Sequence, residues 1–209
     1  MKYGIDLFGD KLEPNPSAVA WCPICDEILV PKCGDIKVWH WSHKSNSECD
    51  PWSEGETEWH RRWKAGLRPQ FQEVRIGNHR ADIVGNKGIV IELQHSPISP
   101  NEIQEREMFY KNMVWVFDAR DFEKNLNFRS KVGQYGEYSS FRWKWPRESH
   151  DCISKRLFWD FGEELFEVKK ISWMMMNNRK YWGGWGIFVG YDWFCEEFLC
   201  DVIDNRKQP

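Results

Sequence analysis

The chain has 209 residues, of which 41% are hydrophobic and 29% are charged, and its formal net charge is −3. This composition is that of a globular protein with one sizeable core or two small domains, and it gives no global electrostatic attraction to nucleic acid. No apolar run approaches the roughly 18–20 residues that cross a bilayer, and no apolar signal-peptide core follows Met1, so we expect a cytoplasmic protein without a membrane contact.

Residues 1–50 hold most of the cysteine and histidine clustering and are predicted to form a small module. Two close pairs of potential ligands, a C-x-x-C and an H-x-x-H, are separated by a strand-like stretch: Cys22, Cys25, His40 and His43. Two thiolates and two imidazoles match tetrahedral Zn²⁺, and four protein ligands leave no open position, so the zinc is expected to be structural. A redox pair or simple packing is the alternative, and Cys33 and Cys49 are spare ligands.

Residues 51–120 alternate between helical and strand patterns, which predicts an α/β unit. A capping box that begins at Ser53 predicts a helix to about Gly66, with Trp59 and Trp63 on its buried side. Three strands are predicted next, at 72–76, 80–84 and 89–94. A second helix at 99–111 and a fourth strand at 114–117 follow. The order is therefore helix, three-stranded meander, helix, strand, with a parallel crossover at its end.

Three polar side chains on the second and third predicted strands suggest a catalytic metal site. Asp82 and Glu92 lie on strands joined by a four-residue turn, so antiparallel pairing would bring the two carboxylates toward each other. Carboxylate oxygens suit Mg²⁺ or Mn²⁺, and Gln94, on the same face as Glu92, could orient a water or a phosphate oxygen. The alternative is that these are surface charges at strand ends.

The two predicted helices add further candidates. On the first helix Glu56, His60 and Lys64 recur at every fourth residue and so share one face. This face is either simply solvated or functional, with Glu56 as a metal ligand, His60 as a base and Lys64 as a phosphate contact. Glu58 is the fallback ligand. On the second helix Arg106 could hold a phosphate or could instead pair with Glu102 four residues earlier.

Residues 121–209 carry no motif that assigns a function. They are rich in aromatic residues and glycine, with a hairpin-like stretch at 156–171 and a predicted turn at Gly183-Gly184. Many of the 14 tryptophans of the chain lie beside basic residues, as in Arg142-Trp143-Lys144-Trp145, which is compatible with core packing and cation–π contacts or with base stacking.

The carboxylate pattern resembles the PD-(D/E)XK nuclease superfamily, whose core has the same order of elements and an Asp and an E-x-K on its second and third strands. Here the motif reads E-x-Q, because Gln94 replaces the lysine. The chain as a whole resembles the CoiA-like competence proteins over roughly residues 18–118. Besides the carboxylate pattern, the resemblance rests on the C-x-x-C, the H-x-x-H, the run G-E-T-E-W-H at 55–60, the run V-I-E-L-Q-H-S-P-I-S at 90–99, and Arg106 with Tyr110.

The resemblance implies a restriction-endonuclease-like α+β or α/β core with a zinc-ribbon-like N-terminal module. It implies a Mg²⁺- or Mn²⁺-dependent nuclease acting on single- or double-stranded DNA, with a catalytic set and a set that binds the backbone. The catalytic set is Glu56, His60, Asp82, Glu92 and Gln94; the binding set is Lys64, Arg106 and Tyr110. Two alternatives stay open: an inactive DNA-binding or assembly module, and an anti-phage or RNA-directed nuclease working with partner proteins of DNA processing or defence.

Overall fold

The structure is a computed structural model that describes residues 1–45, 49–133 and 136–203. Its chain forms two compact units, one from Met1 to Gly88 together with the segment that begins at Asp201, and one from Ile89 to Cys200. Within the described ranges, no helix is long and apolar enough to cross a membrane.

The described residues of the first unit form three antiparallel strand pairs and one α-helix. Its elements are β1 (Gly4–Ile5), β2 (Lys11–Leu12), β3 (Leu29–Lys32), β4 (His40–His43), α1 (Glu58–Lys64), β5 (Gln72–Ile76) and β6 (His79–Val84), with 3₁₀ turns at Pro69–Phe71 and Asn86–Gly88. β1 pairs with β2, β3 with β4, and β5 with β6. The buried residues of the N-terminal strands pack around Trp41, whose indole N–H donates to the carbonyl of Leu12 at 2.8 Å.

The first helix begins later than the sequence predicts. Thr57, not Ser53, is its N-cap, and the Thr57 hydroxyl accepts a hydrogen bond from the backbone N–H of His60. The predicted capping box is therefore wrong, because Thr57, which is nearer the apolar stripe, caps the helix in place of Ser53. The predicted stripe is confirmed, since Trp59 and Trp63 are both buried.

The second unit is built on one sheet. Its elements are β7 (Val90–Gln94), α2 (Pro100–Tyr110), β8 (Met113–Asp118), β9 (Leu126–Gly133), β10 (Gly136–Trp143), β11 (Arg156–Asp160), β12 (Leu165–Met176), β13 (Arg179–Val189) and α3 (Tyr191–Phe198), with 3₁₀ turns at Glu123–Asn125 and Glu148–Cys152. The strands are ordered β7-β8-β11-β12-β13-β10-β9. β7 and β11 both run parallel to β8, and the other neighbours are antiparallel.

The parallel crossover from β7 through α2 to β8 is confirmed. Ser99 caps α2 by accepting from the backbone N–H of Glu102, and Pro100 occupies the first turn, where its missing N–H costs nothing. The fold is thus mixed α+β, with a large sheet and few helices. A restriction-endonuclease-like core stays a prediction.

The predicted turn at Gly183-Gly184 is wrong. The chain reverses at Asn177-Asn178, where both residues have positive φ (51° and 55°), as a two-residue hairpin loop requires. Gly183 and Gly184 lie inside β13, where a Cβ on Gly184 would come within 1.9 Å of the carbonyl oxygen of Lys170. These glycines allow close approach of neighbouring strands rather than a reversal.

Four of the eight tryptophans of the second unit, Trp115, Trp143, Trp159 and Trp182, are core residues. Trp115 and Trp159 are fully buried, and Trp143 stacks against Phe122 with ring centroids 5.0 Å apart. Trp145, two residues after Trp143, is exposed instead, with the Lys144 ammonium 4.0 Å from its ring centroid. The packing explanation therefore holds for part of the tryptophans and leaves a set of exposed rings.

Candidate metal centre and active site

Four side chains of the first unit form a group that could hold a metal ion. Their ligand atoms lie within 4.8 Å of one another: Cys22, Cys25, His43 and Cys49. The Sγ atoms of Cys22 and Cys49 are 3.5 Å apart, and Cys25 Sγ is 3.3 Å from His43 Nε2. A tetrahedral zinc with Zn–S bonds of about 2.3 Å needs sulfur atoms roughly 3.7 Å apart, so the group fits Zn²⁺.

The structure corrects one predicted zinc ligand, because His40 lies outside this group. His40 and His43 are three residues apart on β4, and side chains three apart on a strand point to opposite faces. His43 is buried and its Nε2 contacts Cys25 Sγ, whereas His40 Nδ1 contacts the carbonyl oxygen of Val38 at 2.8 Å. Cys49, predicted only as a spare, supplies the fourth ligand atom.

Cys49 is held in place by its neighbour, Asp50. The Asp50 carboxylate contacts His79 Nδ1 at 2.9 Å and accepts from the backbone N–H of Arg80 at 2.8 Å. Both partners are on β6, so this strand anchors the chain beside the thiols. Burial raises the pKa of the thiols of Cys22 and Cys49, so a bound cation is what would keep them as thiolates near neutral pH.

Lys64 gathers three carboxylates in the first unit. Its Nζ lies 3.2 Å from Glu56, 3.1 Å from Glu73 and 3.3 Å from Asp82. Lys64, Glu56 and Glu73 are buried, while the Asp82 side chain is 23% exposed. Lys64, predicted to hold the DNA backbone, is a buried cation among carboxylates, and its role toward DNA stays a prediction.

Glu73 was missed by the sequence analysis. Gln72 pairs with Ile83 and Val74 with Ala81, so Glu73 and Asp82 are the residues that face each other between these pairs. Like charges in facing positions repel, and the Lys64 ammonium compensates for that repulsion. Glu73 also accepts from the backbone N–H of Lys2 at 2.9 Å; its φ of +48° is uncommon for a non-glycine residue.

The charges around Lys64 support each other. Burial alone would lower the pKa of Lys64, but the carboxylates of Glu73, Asp82 and Glu56 outweigh it and raise that pKa. Burial alone would likewise raise the pKa of Glu73, but Lys64 and Arg80 hold it well below its usual value. An ammonium and a carboxylate are therefore the stable forms at neutral pH.

His60 is buried in the turn that starts α1. Its Nδ1 lies 2.8 Å from the hydroxyl of Thr57, and its Nε2 lies 3.7 Å from a carboxylate oxygen of Glu54. The described contacts thus link His60 to a cap and to Glu54, while Glu56 reaches the Lys64 group.

In the second unit, Arg106 pairs with two carboxylates. Its guanidinium lies 2.8 Å from Glu92 and also pairs with Glu102, and it lies 5.8 Å from the ring centroid of Trp115. Arg106 and Glu92 are both buried. The predicted Glu102 salt bridge is present, and Arg106 is not exposed as a phosphate contact would be.

Gln94 and Tyr110, also candidates, are buried residues of the second unit. The Gln94 amide donates to the carbonyl oxygen of Ser96 at 2.9 Å, which turns the side chain back on its own strand end.

The carboxyl ends of the parallel strands carry a polar group that the sequence analysis did not assign. His95 follows β7 and its Nδ1 lies 2.9 Å from Asp118, the last residue of β8, which also accepts from Arg120 Nε at 2.8 Å. Asp160, facing Asp118 in the register, ends β11. Burial would raise the pKa of Asp118, but hydrogen bonds from Arg120 and His95 lower it. The parallel pairing, which places strand ends side by side, was the available signal.

Asp82 belongs to the first unit and Glu92 to the second, so a metal ion shared by their carboxylates stays a prediction. Within the described ranges, only the cysteine–histidine group assembles three or more His, Cys, Asp or Glu ligand atoms closely enough to hold a metal ion. Mg²⁺ is commonly held by one or two carboxylates together with water and substrate phosphate, so a complete protein cage is not required. The partly exposed Asp82 fits such a site better than the buried Glu56 and Glu73.

Two family models match the chain. The model for the N-terminal domain of competence protein CoiA matches residues 20–51, and the model for the nuclease-like domain of competence protein CoiA matches residues 60–151. Together they span more than half of the 209 residues, and they contain all four cysteine–histidine ligands as well as Asp82 and Glu92. No curated protein and no solved structure matches the chain.

Proposed function

The chain belongs to the CoiA-like family, and from this we propose that it is a metal-dependent DNA nuclease, an endonuclease or nickase that hydrolyses phosphodiester bonds. The observation that carries the proposal is the group formed by Lys64, Glu56, Glu73 and Asp82. In it the Lys64 ammonium lies 3.3 Å from the partly exposed carboxylate of Asp82. A carboxylate that reaches solvent can bind a divalent ion, and that ion and the neighbouring ammonium can together stabilise a phosphate.

Asp82 and Glu92 are the proposed ligands of Mg²⁺ or Mn²⁺, with Glu56 as a further ligand. When bound, such an ion lowers the pKa of a water molecule and neutralises charge on the scissile phosphate. Arg106, which lies 2.8 Å from Glu92, holds that carboxylate in one orientation. Its role in this proposal is positioning, which replaces the phosphate contact predicted from sequence.

Lys64 takes the part that the lysine of an E-x-K motif would have. Its raised pKa keeps the ammonium protonated, so Lys64 stabilises negative charge on the phosphate and does not act as a base. Gln94, whose amide donates to the carbonyl oxygen of Ser96, is uncharged, and its proposed role is to orient water. The E-x-Q motif is compatible with activity on this reasoning because a lysine is supplied by α1.

Proton transfer needs a general acid or base, for which imidazole is the side chain used most often, and His60 and His95 are the candidates. His60 is buried, whereas the His95 side chain is 35% exposed and is oriented through Nδ1 by Asp118. We therefore place His95 alongside the predicted His60 as a proton-transfer residue. The zinc group serves the N-terminal module structurally.

A second candidate function is a catalytically inactive DNA-binding module on the same fold. The specific observation in its favour is that Lys64 and Arg106 already neutralise the carboxylates Asp82 and Glu92, as a purely structural charge network would.

Incubation of the purified protein with supercoiled plasmid and with single-stranded DNA distinguishes the two functions. Mg²⁺, Mn²⁺ and EDTA are compared, with binding measured in parallel by gel shift. Nicking or cleavage in Mg²⁺ or Mn²⁺ that stops in EDTA is the result expected of a nuclease. Binding without cleavage in every metal would overturn the nuclease proposal and leave the binding module.

A further inference from the structure

β12 and β13 continue past the sheet as a two-stranded arm, which we define as residues 172–181. β11 pairs with β12 only from Leu165 to Val168, and β10 pairs with β13 no further toward the turn than Trp182. Beyond these points, the described part of the chain gives the two strands no third partner. A register shift between Val168 and Lys170 lies at the base of the arm, where such irregularities increase strand twist.

The arm exposes large apolar side chains on both of its faces. All of its residues are exposed, and the apolar ones are Trp173, Met174, Met175, Met176 and Tyr181. Successive residues of a strand point to opposite faces, so neither face is a buried one. Trp185, on β13 at the base of the arm, is exposed as well. Contiguous apolar surface of this kind usually marks an interaction site.

The charged residues of the segment that contains the arm are all positive. Between Glu167 and Asp192 the sequence holds four cations and no carboxylate: Lys169, Lys170, Arg179 and Lys180. Lys169 pairs with Glu167 at the base, and Lys180 lies 4.5 Å from the ring centroid of Trp173 and 3.5 Å from Glu148. In a chain whose net charge is −3, this segment is a local positive surface.

We infer that the arm binds single-stranded DNA. Its rings, Trp173 and Tyr181, offer faces on which unpaired bases stack, and Lys170 and Arg179 lie within the same hairpin to contact phosphates. Bases in a duplex are already stacked on one another, so exposed rings favour a single strand. A polyanion is also the partner that a carboxylate-free cationic segment selects, which an apolar protein surface would not be.

This surface lies outside residues 20–51 and 60–151, so the family matches do not account for it. The inference rests on the proposed function only for the class of ligand. Binding to the arm needs no metal, whereas cleavage does, and the two can therefore fail separately.

The test is fluorescence anisotropy of a labelled oligo(dT) of about 20 nucleotides, titrated with the full chain in EDTA. The aromatic variant is Trp173→Ala with Tyr181→Ala, and the cationic variant is Lys170→Gln with Arg179→Gln. The matched control is Lys124→Gln with Arg129→Gln, which removes the same charge from exposed positions elsewhere in the second unit. Circular dichroism verifies that each variant folds, as changes at exposed side chains should allow.

The aromatic variant is expected to lose at least about tenfold in affinity, since each stacked base contributes roughly 5- to 150-fold. The cationic variant is expected to weaken binding and to reduce the slope of log K against log salt by about 1.4, at roughly 0.7 per phosphate contact. The control should stay within about twofold of the wild type. Affinity unchanged in both arm variants, or a loss in the control as large as theirs, would overturn the inference.

A duplex of the same length gives a second readout. The wild type should bind oligo(dT) more tightly than the duplex, and the aromatic variant should remove that preference. Equal loss on both ligands contradicts stacking on the arm. Arm variants that bind normally in a protein that cleaves DNA overturn only this inference, and a protein that binds through the arm but never cleaves overturns only the nuclease proposal.

Discussion

Lys64 is a buried ammonium within 3.3 Å of three carboxylates, Glu56, Glu73 and Asp82. Taking such charges out of water costs several kcal/mol per ion, and good geometry with further hydrogen bonds is needed to offset that cost. Glu73 has both, through Lys64 and the backbone N–H groups of Lys2 and Tyr3. The spacing of Glu56, His60 and Lys64 predicted that Lys64 and Glu56 lie together, but Glu73 has the sequence pattern of an ordinary strand residue and could be recognised only through the β5–β6 register.

Replacement of Lys64 by methionine is expected to lower the free energy of unfolding by about 3–5 kcal/mol, because it leaves buried carboxylates without their cation. Urea denaturation measures the change. Lys32→Met, at an exposed lysine of the same unit, is the control and should change stability by less than about 0.5 kcal/mol. Adding Glu73→Gln to Lys64→Met should restore part of the loss, and a Lys64→Met effect as small as the control would contradict the buried network.

At Cys49 and His40 the prediction concerns metal content. Cys49→Ser should remove a ligand and reduce zinc retained by protein purified without chelator from about one equivalent to well below it. His40→Ala should retain zinc like the wild type, because His40 lies on the other face of β4. Elemental analysis of the three proteins measures this. Loss of zinc in the His40 variant with retention in the Cys49 variant would reverse the assignment.

The elements show where sequence patterns sufficed and where tertiary register was needed. Ser99 and Pro100 carried a complete start signal, and α2 begins there. The capping-box pattern at 53–56 was an equally good local signal, but the helix is capped by Thr57 instead, because packing of the buried tryptophans determines where the helix begins. The glycines of β13 were ambiguous, because a glycine that permits a turn and a glycine that permits close strand approach look alike until the neighbouring strand is known.

Gly184→Ala tests the close approach of β12 and β13. The new methyl group would lie 1.9 Å from the carbonyl oxygen of Lys170, so the strands must separate, at an expected cost of about 2 kcal/mol or more in the free energy of unfolding. Gly55→Ala, where no atom lies within 4 Å of the added carbon, should be nearly neutral. Thermal and urea denaturation measure both. Equal stability of the two variants would show that β13 does not have the described register.

Over the whole molecule, alternating helical and strand patterns predicted a mixed fold, and the order of elements predicted the parallel crossover from β7 to β8. The aromatic richness of the C-terminal half could not be divided into core and surface from sequence. Buried and exposed tryptophans have similar neighbours in the chain, as Trp143 and Trp145 illustrate, and only the tertiary structure distinguishes them. The aromatic core also encloses His150, whose Nδ1 accepts from the indole N–H of Trp159 at 3.1 Å.

Burial, with a smaller contribution from Arg147, lowers the pKa of His150 to about 3. A histidine in the unfolded chain has a pKa of about 6.5, so between these values the unfolded state binds a proton that the native state does not. Stability from this group is therefore complete above about pH 6.5 and declines as pH falls toward 3, by up to ~1.4 kcal/mol per pH unit.

Urea denaturation from pH 7.5 to pH 4.5 measures this decline. His150→Gln keeps an acceptor for Trp159 but cannot ionise, so its stability should fall less steeply over this range than that of the wild type. Parallel pH profiles for the wild type and His150→Gln would mean that His150 is not buried as a neutral ring.

The central proposal is that Asp82 and Glu92 are both required for metal-dependent cleavage. It is tested most directly by the single-turnover rate of plasmid nicking in Mn²⁺, compared among the wild type, Asp82→Asn and Glu92→Gln, with Asp35→Asn and Glu105→Gln as controls at exposed carboxylates. We predict that the nicking rate of each site variant falls at least about a thousandfold, whereas the controls stay within about twofold of the wild type. The double variant should nick no more slowly than the slower of the two single variants, as expected of residues that act as a unit. Nicking by either site variant within tenfold of the wild type would contradict the claim.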